Sequence, residues 1–181
     1  MSRVSKFLSK DSKMKLFNAF IVSNFLYCSI VWHFCSNQNT YKMEKVQKKA
    51  LRLVLNDYTS SYSELLEKVN RPPLYVSRIK TIASEIFKCL TNTSPTFIKD
   101  MFRIEDQPYD LRGGSKIIQP LVHSKTFGLK TFRYEGARIW NKLPESMKNA
   151  NDAHAFKHYI NHWSGLSCQC GNCVLCNIYL L

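Results

Sequence analysis

The chain has 181 residues, 45% of them apolar, which suits one compact domain or two small ones and excludes a chain too polar to bury a core. Its net charge of +13 is concentrated at the two ends: residues 1–57 carry ten Lys/Arg against three Asp/Glu, and residues 111–181 carry nine against three. Because Lys and Arg displace condensed counterions from phosphates, this balance favours a polyanionic partner, nucleic acid before membrane, although a basic surface can also serve only solubility.

The first predicted helix is capped by Asp11 or Ser12 and runs to about Trp32. Within it, residues 16–34 form an apolar run long enough to suggest a transmembrane span. Polar residues recur through this run and would each need a partner in lipid, so a buried helix of an α-helical core explains the pattern better. A small membrane-anchored protein is the less favoured alternative.

A second helix is predicted over residues 41–56, after a polar turn at 36–40. Its predicted apolar stripe comprises Met43, Val46, Ala50, Leu53 and Val54. Four cations follow at spacings of three, four and three residues and therefore share another face: Lys42, Lys45, Lys49 and Arg52. A cationic face on a helix that is anchored by its opposite side can follow a phosphate backbone, and an ordinary solvated face is the alternative.

Further helices are predicted over 61–70, 74–90 and 151–163, and another around Phe132–Asn141, in the segment 128–148, is stopped by Pro144. Short extended pieces are expected near 115–127. The fold class is therefore mostly α, a helical bundle with a loop-rich region and a Cys-rich tail. The expected division is a basic helical segment (1–57), a helical middle segment (58–110), a loop with C-terminal helices (111–166) and the tail (167–181).

Several blocks of the sequence point to one family. Residues 128–148, GLKTFRYEGARIWNKLPESMK, contain the order Phe-x-Tyr-x-Gly-Ala-x-x-Trp-Asn-x-Leu-Pro. The block 42–56 carries Glu44, Gln47 and Arg52 in a Leu-Glu-x-Ile-Gln-x-x-x-x-Arg-like pattern, and the block 16–32 carries Tyr27 and Trp32. With 62–102, YDLRGG (109–114) and 156–163, these blocks resemble, in family order, the thumb and downstream region of reverse transcriptases from non-LTR (LINE-type) retrotransposons.

The resemblance implies a thumb-like helical bundle that grips the template–primer duplex of an RNA-directed DNA polymerase. By analogy, Lys42, Lys45, Lys49 and Arg52 would contact the phosphates of RNA, DNA or an RNA–DNA hybrid. The palm of such enzymes carries an aromatic-x-Asp-Asp box that holds two metal ions, and this chain has no adjacent Asp pair. It is therefore expected to be noncatalytic alone, with the palm and fingers domains as partners. A transposable-element remnant without independent activity is the alternative.

Four of the seven cysteines, Cys168, Cys170, Cys173 and Cys176, crowd the C-terminus. Zinc takes four soft ligands in a tetrahedron, and one of His154, His158 and His162 on the preceding helix, with His162 as the candidate, could replace a cysteine. We expect that zinc could bind here; a reduced tail without metal is the alternative. No small-residue cleavage site follows residues 16–34, and the odd number of cysteines fits a reducing compartment. We therefore expect an intracellular protein, in the nucleus or cytoplasm, that is not secreted.

Overall fold

The computed structural model describes residues 7–105, 116–124, 127–165 and 178. Its α-helices are α1 (Lys10–Phe17), α2 (Ser23–Leu26), α3 (Ser29–Trp32), α4 (Asn37–Leu55), α5 (Tyr62–Lys68), α6 (Leu74–Leu90), α7 (Thr96–Lys99), α8 (Phe132–Asn141), α9 (Glu145–Lys148) and α10 (Ala153–His162). Within the described residues, Ile104 and Ile117 form an isolated antiparallel bridge. The prediction of a mostly α fold is confirmed.

The chain divides into two compact units. Unit 1 comprises residues 1–78 and 167–181, and unit 2 comprises residues 79–166. The boundary between the two units falls inside α6, between Arg78 and Ile79. Charge and punctuation along the sequence do not show this boundary, because the helix itself continues through it.

The segment after α1 is not the continuous helix that its apolar run predicts. Residues Asn18–Val22 form a π-helical turn. The helix is interrupted at Tyr27 and Cys28, where Cys28 adopts a left-handed conformation with φ 48°. The side chains of Ser23 and Asn24 donate hydrogen bonds to the carbonyls of residues 19 and 20. Such bonds compete with the regular helical ladder and bend helices. The cap of α1 also differs from the prediction, since Ser9 accepts from the Ser12 N–H.

No helix among the described residues combines the length and the apolar character that a membrane span requires.

The core of unit 1 joins α1, α4 and α5. Its fully buried apolar side chains are Phe17, Leu51, Val54, Tyr62, Leu65, Leu66 and Ile178. A capping box starts α5: the Ser61 hydroxyl accepts from the Glu64 N–H, and the Glu64 carboxylate accepts from the Ser61 N–H. This pairing satisfies two N–H groups that a helix start otherwise leaves unpaired. The core itself holds the buried face of α4 against α5, because Leu51 and Val54 lie in the same cluster as Tyr62, Leu65 and Leu66.

The core of unit 2 contains three stacked aromatic rings. The Phe156 ring of α10 lies 4.4 Å from that of Phe87 on α6 and 6.0 Å from that of Trp140 on α8. Asn141, at the end of α8, accepts from the Ile117 N–H and donates to the Ile117 carbonyl, both at 2.9 Å. These two bonds fix the extended piece around Ile117, which lies within the range where short extended segments are predicted.

Local sequence signals locate the later helices well. The helix predicted over 74–90 is α6, and α8 ends before Pro144, as predicted; the short helix α9 after Pro144 was not predicted. Asp152 caps α10 by accepting from the Ala155 N–H at 2.6 Å. Phe156 and Ile160 are buried on α10, whereas Ala153 is exposed.

Candidate nucleic-acid interface

Helix α4 carries the predicted cationic face and is well terminated at both ends. The Ser36 hydroxyl accepts from the Asn39 N–H at 3.3 Å, as an N-cap does. At the other end Asn56 takes a left-handed conformation, with φ 54°, and its N–H donates to the Arg52 carbonyl. The 19-residue helix is therefore a defined scaffold for the side chains along it.

The lysines of the cationic face lie in solvent. Lys42, Lys45 and Lys49 are all exposed. Because they are separated by three and four residues, they form one row along the helix. From Lys42 to Lys49 this row extends about 10 Å, at a rise of about 1.5 Å per residue. We call these three residues the lysine row.

Arg52 differs from the three lysines. Its side chain is half-buried, and its Nη2 donates to the Ser60 carbonyl at 3.4 Å. Its Nε is buried and has no hydrogen-bond partner. The guanidinium is therefore directed towards the loop after α4, and the spacing of three from Lys49 does not make it equally accessible.

The loop that Arg52 contacts is organised by Asp57. Its carboxylate accepts from the N–H groups of Thr59 and Ser60, at 3.2 and 3.0 Å, and from the Lys68 ammonium. The bonds from Lys68 and Ser60 hold the pKa of Asp57 well below its usual range. Since Lys68 belongs to α5, this carboxylate ties the end of α4 to the end of α5.

The predicted apolar stripe of α4 is correct only in part: Val54 is buried and Ala50 packs against the core, but Val46 does not lie inward. Val46, predicted to be inward, is 48% exposed. The side chains that are buried on α4 are Thr40, Glu44, Gln47, Leu51 and Val54. They recur at intervals of four, three, four and three residues, so the helix buries a regular face, but a face that includes a carboxylate and an amide. A search restricted to apolar residues cannot find it.

Glu44 is fully buried and has partners from two other helices. Its Oε2 accepts from the Tyr62 hydroxyl at 2.5 Å and from the Leu74 N–H at 3.2 Å, and its Oε1 accepts from the Tyr75 N–H at 2.7 Å. Leu74 and Tyr75 begin α6. The carboxylate of Glu44, which precedes them by about 30 residues in the sequence, therefore caps that helix. Burial raises the pKa of Glu44, and the hydrogen bonds from Tyr62 and α6 oppose this shift.

Arg78, on α6, is a buried cation whose charge interacts with the Glu44 carboxylate. It is fully buried, its guanidinium carbon lies 4.7 Å from the ring centroid of Trp32 and 5.6 Å from that of Tyr75, and its Nη1 lies 3.8 Å from Met43 Sδ. Burial lowers the pKa of Arg78, and the charge of Glu44 opposes this shift. Stacking on two aromatic faces stabilises a buried guanidinium. No pattern in the sequence had singled out Arg78.

The role of this buried network is to orient the lysine row. Glu44 and Gln47 are directed inward, and Lys42, Lys45 and Lys49, each within two positions of one of them, lie on the exposed side of α4. The exposed charged side chains of the helix are therefore all cationic, since its single acidic side chain, Glu44, is buried in the core. Burial and hydrogen bonding of the single acid, and not only the number of lysines, give the face its charge.

The predicted zinc ligands are only partly within the structure. Cys168, Cys170, Cys173 and Cys176 lie outside the described residues, and His162 is exposed at the end of α10. Among the described residues, no group of three or more His, Cys, Asp or Glu side chains is arranged to hold a metal ion. The zinc site at the tail stays a prediction.

No family model, curated protein or solved structure matches this chain.

Proposed function

We propose that this chain binds the phosphate backbone of nucleic acid through the lysine row of α4, without catalysing a reaction itself. The observation that carries the proposal is the arrangement of α4: Lys42, Lys45 and Lys49 are exposed in one row, while the only acidic residue of the helix is buried among hydrogen-bond donors. Arg52 contributes charge near the end of the row and is not counted as a phosphate ligand.

The dimensions of the lysine row suit a nucleic-acid strand. Successive phosphates of one DNA strand rise by about 3.4 Å along the helix axis, so a row of about 10 Å parallel to that axis spans roughly three such steps. Such contacts fix position without reading bases. The expected binding is therefore sensitive to salt and only weakly dependent on sequence.

The resemblance to the thumb region of LINE-type reverse transcriptases suggests the biological role of this binding. In that reading the chain grips a template–primer duplex of RNA, DNA or both, and the palm and fingers domains supply the polymerase chemistry. The absence of an adjacent Asp pair supports a noncatalytic role for this chain. The proposal of nucleic-acid binding rests on α4 and does not require the family assignment.

Binding can be tested with the full chain and fluorescently labelled duplexes of equal length: RNA–RNA, RNA–DNA and DNA–DNA. Reversal of two charges of the lysine row, Lys45→Glu with Lys49→Glu, is expected to weaken binding to all three duplexes. Unchanged affinity would show that the lysine row is not the contact surface. Both side chains are exposed, so the variant is expected to keep its helical structure, and circular dichroism checks this.

A second function is favoured by a different observation in unit 1. Phe20, Tyr27 and Val31, from the irregular segment between α1 and α4, are 65%, 76% and 79% exposed. Large apolar side chains that are exposed close together in sequence are typical of surfaces that another protein covers. By the resemblance, the palm domain would cover them, and the chain would be a structural fragment. This alternative predicts that the chain is poorly soluble when it is expressed alone and that co-expression with a palm fragment restores its solubility.

A further inference from the structure

Two histidines of α10 in unit 2 are paired on the surface of the helix. The ring centroids of His158 and His162 lie 4.6 Å apart, and both side chains are exposed. They are separated by four residues, which brings side chains onto the same face of a helix, one turn apart. His154 lies one further turn back on the same face, and it provides a matched residue for comparison.

A hydrogen bond to the backbone sets the chemistry of one ring. The Nδ1 of His162 lies 2.9 Å from the His158 carbonyl. When this nitrogen carries the proton it donates to that carbonyl, which leaves the lone pair on Nε2. A backbone carbonyl on the second ring nitrogen is the usual way in which proteins orient a histidine that ligates a metal.

We propose that His158 and His162 form a two-histidine site for a divalent transition-metal ion of the zinc or nickel class. Zinc binds imidazole nitrogen at about 2.0–2.1 Å, so two ligands at the tetrahedral angle lie about 3.3 Å apart. Rings whose centroids are 4.6 Å apart reach that separation by small side-chain rotations. The site uses neither the tail cysteines nor the lysine row, so it is independent of the proposed function.

The two imidazoles fill two coordination positions, and water fills the remaining ones. Imidazole ligands suit zinc, nickel and copper, whereas magnesium and calcium prefer oxygen. The site therefore discriminates between these classes of ion. Its open positions would allow an additional ligand, such as a phosphate oxygen or a side chain of another protein, to complete the coordination.

The site can be tested by calorimetric titration of the full chain with zinc and with nickel. Because the tail cysteines can also bind zinc, all titrations are made in a background in which Cys168, Cys170, Cys173 and Cys176 are replaced by serine. In this background we expect one ion per chain, and His158→Asn or His162→Asn should each weaken binding by about tenfold or more. His154→Asn should leave binding unchanged, and magnesium should not compete.

Three results would overturn the proposal. One is the loss of binding in the serine background, which would assign the metal to the tail. Another is binding that persists unchanged in both His158→Asn and His162→Asn. The third is an equal loss in His154→Asn, which would show a diffuse effect of histidine content. Melting temperatures without metal are expected to stay within a few degrees of the parent chain, because all three side chains are exposed.

Discussion

The Tyr62 hydroxyl donates a 2.5 Å hydrogen bond to the fully buried carboxylate of Glu44, which also accepts from the first two N–H groups of α6. Three helices of unit 1 therefore meet at one carboxylate. Replacement of Glu44 by alanine leaves these donors without their acceptor. It also removes the negative charge that interacts with the buried Arg78. We expect Glu44→Ala to lower the free energy of unfolding by about 3–5 kcal/mol, as the loss of one partner of a buried charged network does.

Tyr62→Phe removes one donor and leaves the two backbone bonds, so a smaller loss of about 1–2 kcal/mol is expected in urea unfolding. Glu67→Ala, on the exposed side of α5, is the matched control and should change stability by less than about 0.5 kcal/mol. A Glu44→Ala variant as stable as the Glu67→Ala control would contradict the role assigned to this carboxylate.

The same carboxylate predicts a dependence of stability on pH. Burial raises the pKa of Glu44 above the ordinary value of about 4.3. A raised pKa in the folded state means that folding favours the protonated form, so this contribution is present below the ordinary value and is lost as pH rises through the raised one. Glutamine does not titrate, so the stability of the parent chain relative to Glu44→Gln should decrease as pH rises.

Urea unfolding of both proteins from about pH 4 upward measures this difference. Glu67→Gln, which replaces an exposed carboxylate, should follow the parent chain in parallel. If the stability of the parent relative to Glu44→Gln grows with pH, the hydrogen bonds from Tyr62 and α6 outweigh burial, and the direction assigned to the pKa of Glu44 is wrong.

Gly136 on α8 has no room for a side chain. A Cβ at this position would lie 3.0 Å from the Phe102 ring and 3.1 Å from Ile86 Cδ1, and both neighbours are buried. Alanine gains up to about 1 kcal/mol of helix propensity over glycine, but overpacking of a filled core costs about 1–3 kcal/mol. We expect Gly136→Ala to destabilise the chain by about 1 kcal/mol in thermal or urea unfolding.

The cause of that loss can be separated from backbone effects. In a Phe102→Leu background the contact with Cβ is relieved, so Gly136→Ala should cost less than in the parent chain. A stabilising Gly136→Ala would show that the space beside Phe102 is larger than the structure indicates.

Local and nonlocal signals account for what the sequence could and could not predict. The bounds of α6, the Asp152 cap of α10 and the exposure of the lysine row follow from residues close together in the chain, and each was predictable. The inward direction of Glu44 depends on donors 18 and 30 residues away, so hydrophobic periodicity chose a face that includes exposed Val46.

Two further differences arise from hydrogen bonds of side chains to nearby backbone groups. Arg52 has the correct spacing for the lysine row, but the loop after α4 returns to its guanidinium and half-buries it. The apolar run 16–34 favours one long helix, but the side-chain bonds of Ser23 and Asn24 to helix carbonyls and the left-handed Cys28 interrupt it. Side-chain hydrogen bonds are weakly encoded in local composition, which explains these errors.

The exposed apolar residues of unit 1 predict a difference between solubility and stability. Phe20→Ser with Val31→Ser should change the free energy of unfolding by no more than about 1 kcal/mol, because both side chains are largely in solvent. Self-association in sedimentation experiments should decrease. Phe17→Ser is the contrasting control. Phe17, the last residue of α1, is buried, so its replacement should lower the free energy of unfolding by several kcal/mol. A double variant as destabilised as Phe17→Ser would place Phe20 and Val31 in the core.

The most direct test of the central claim is the salt dependence of duplex binding for two variants of equal charge. One replaces Lys42, Lys45 and Lys49 with glutamine, and the other replaces the exposed unit 2 cations Lys130, Arg133 and Lys142 with glutamine. Each phosphate contact contributes about 0.9 to the slope of log K against log salt for a DNA duplex. The first variant should therefore lose about 2–3 from this slope, together with affinity, while the second stays near the parent chain. Equal losses in both variants would mean that total charge, and not the lysine row of α4, binds nucleic acid.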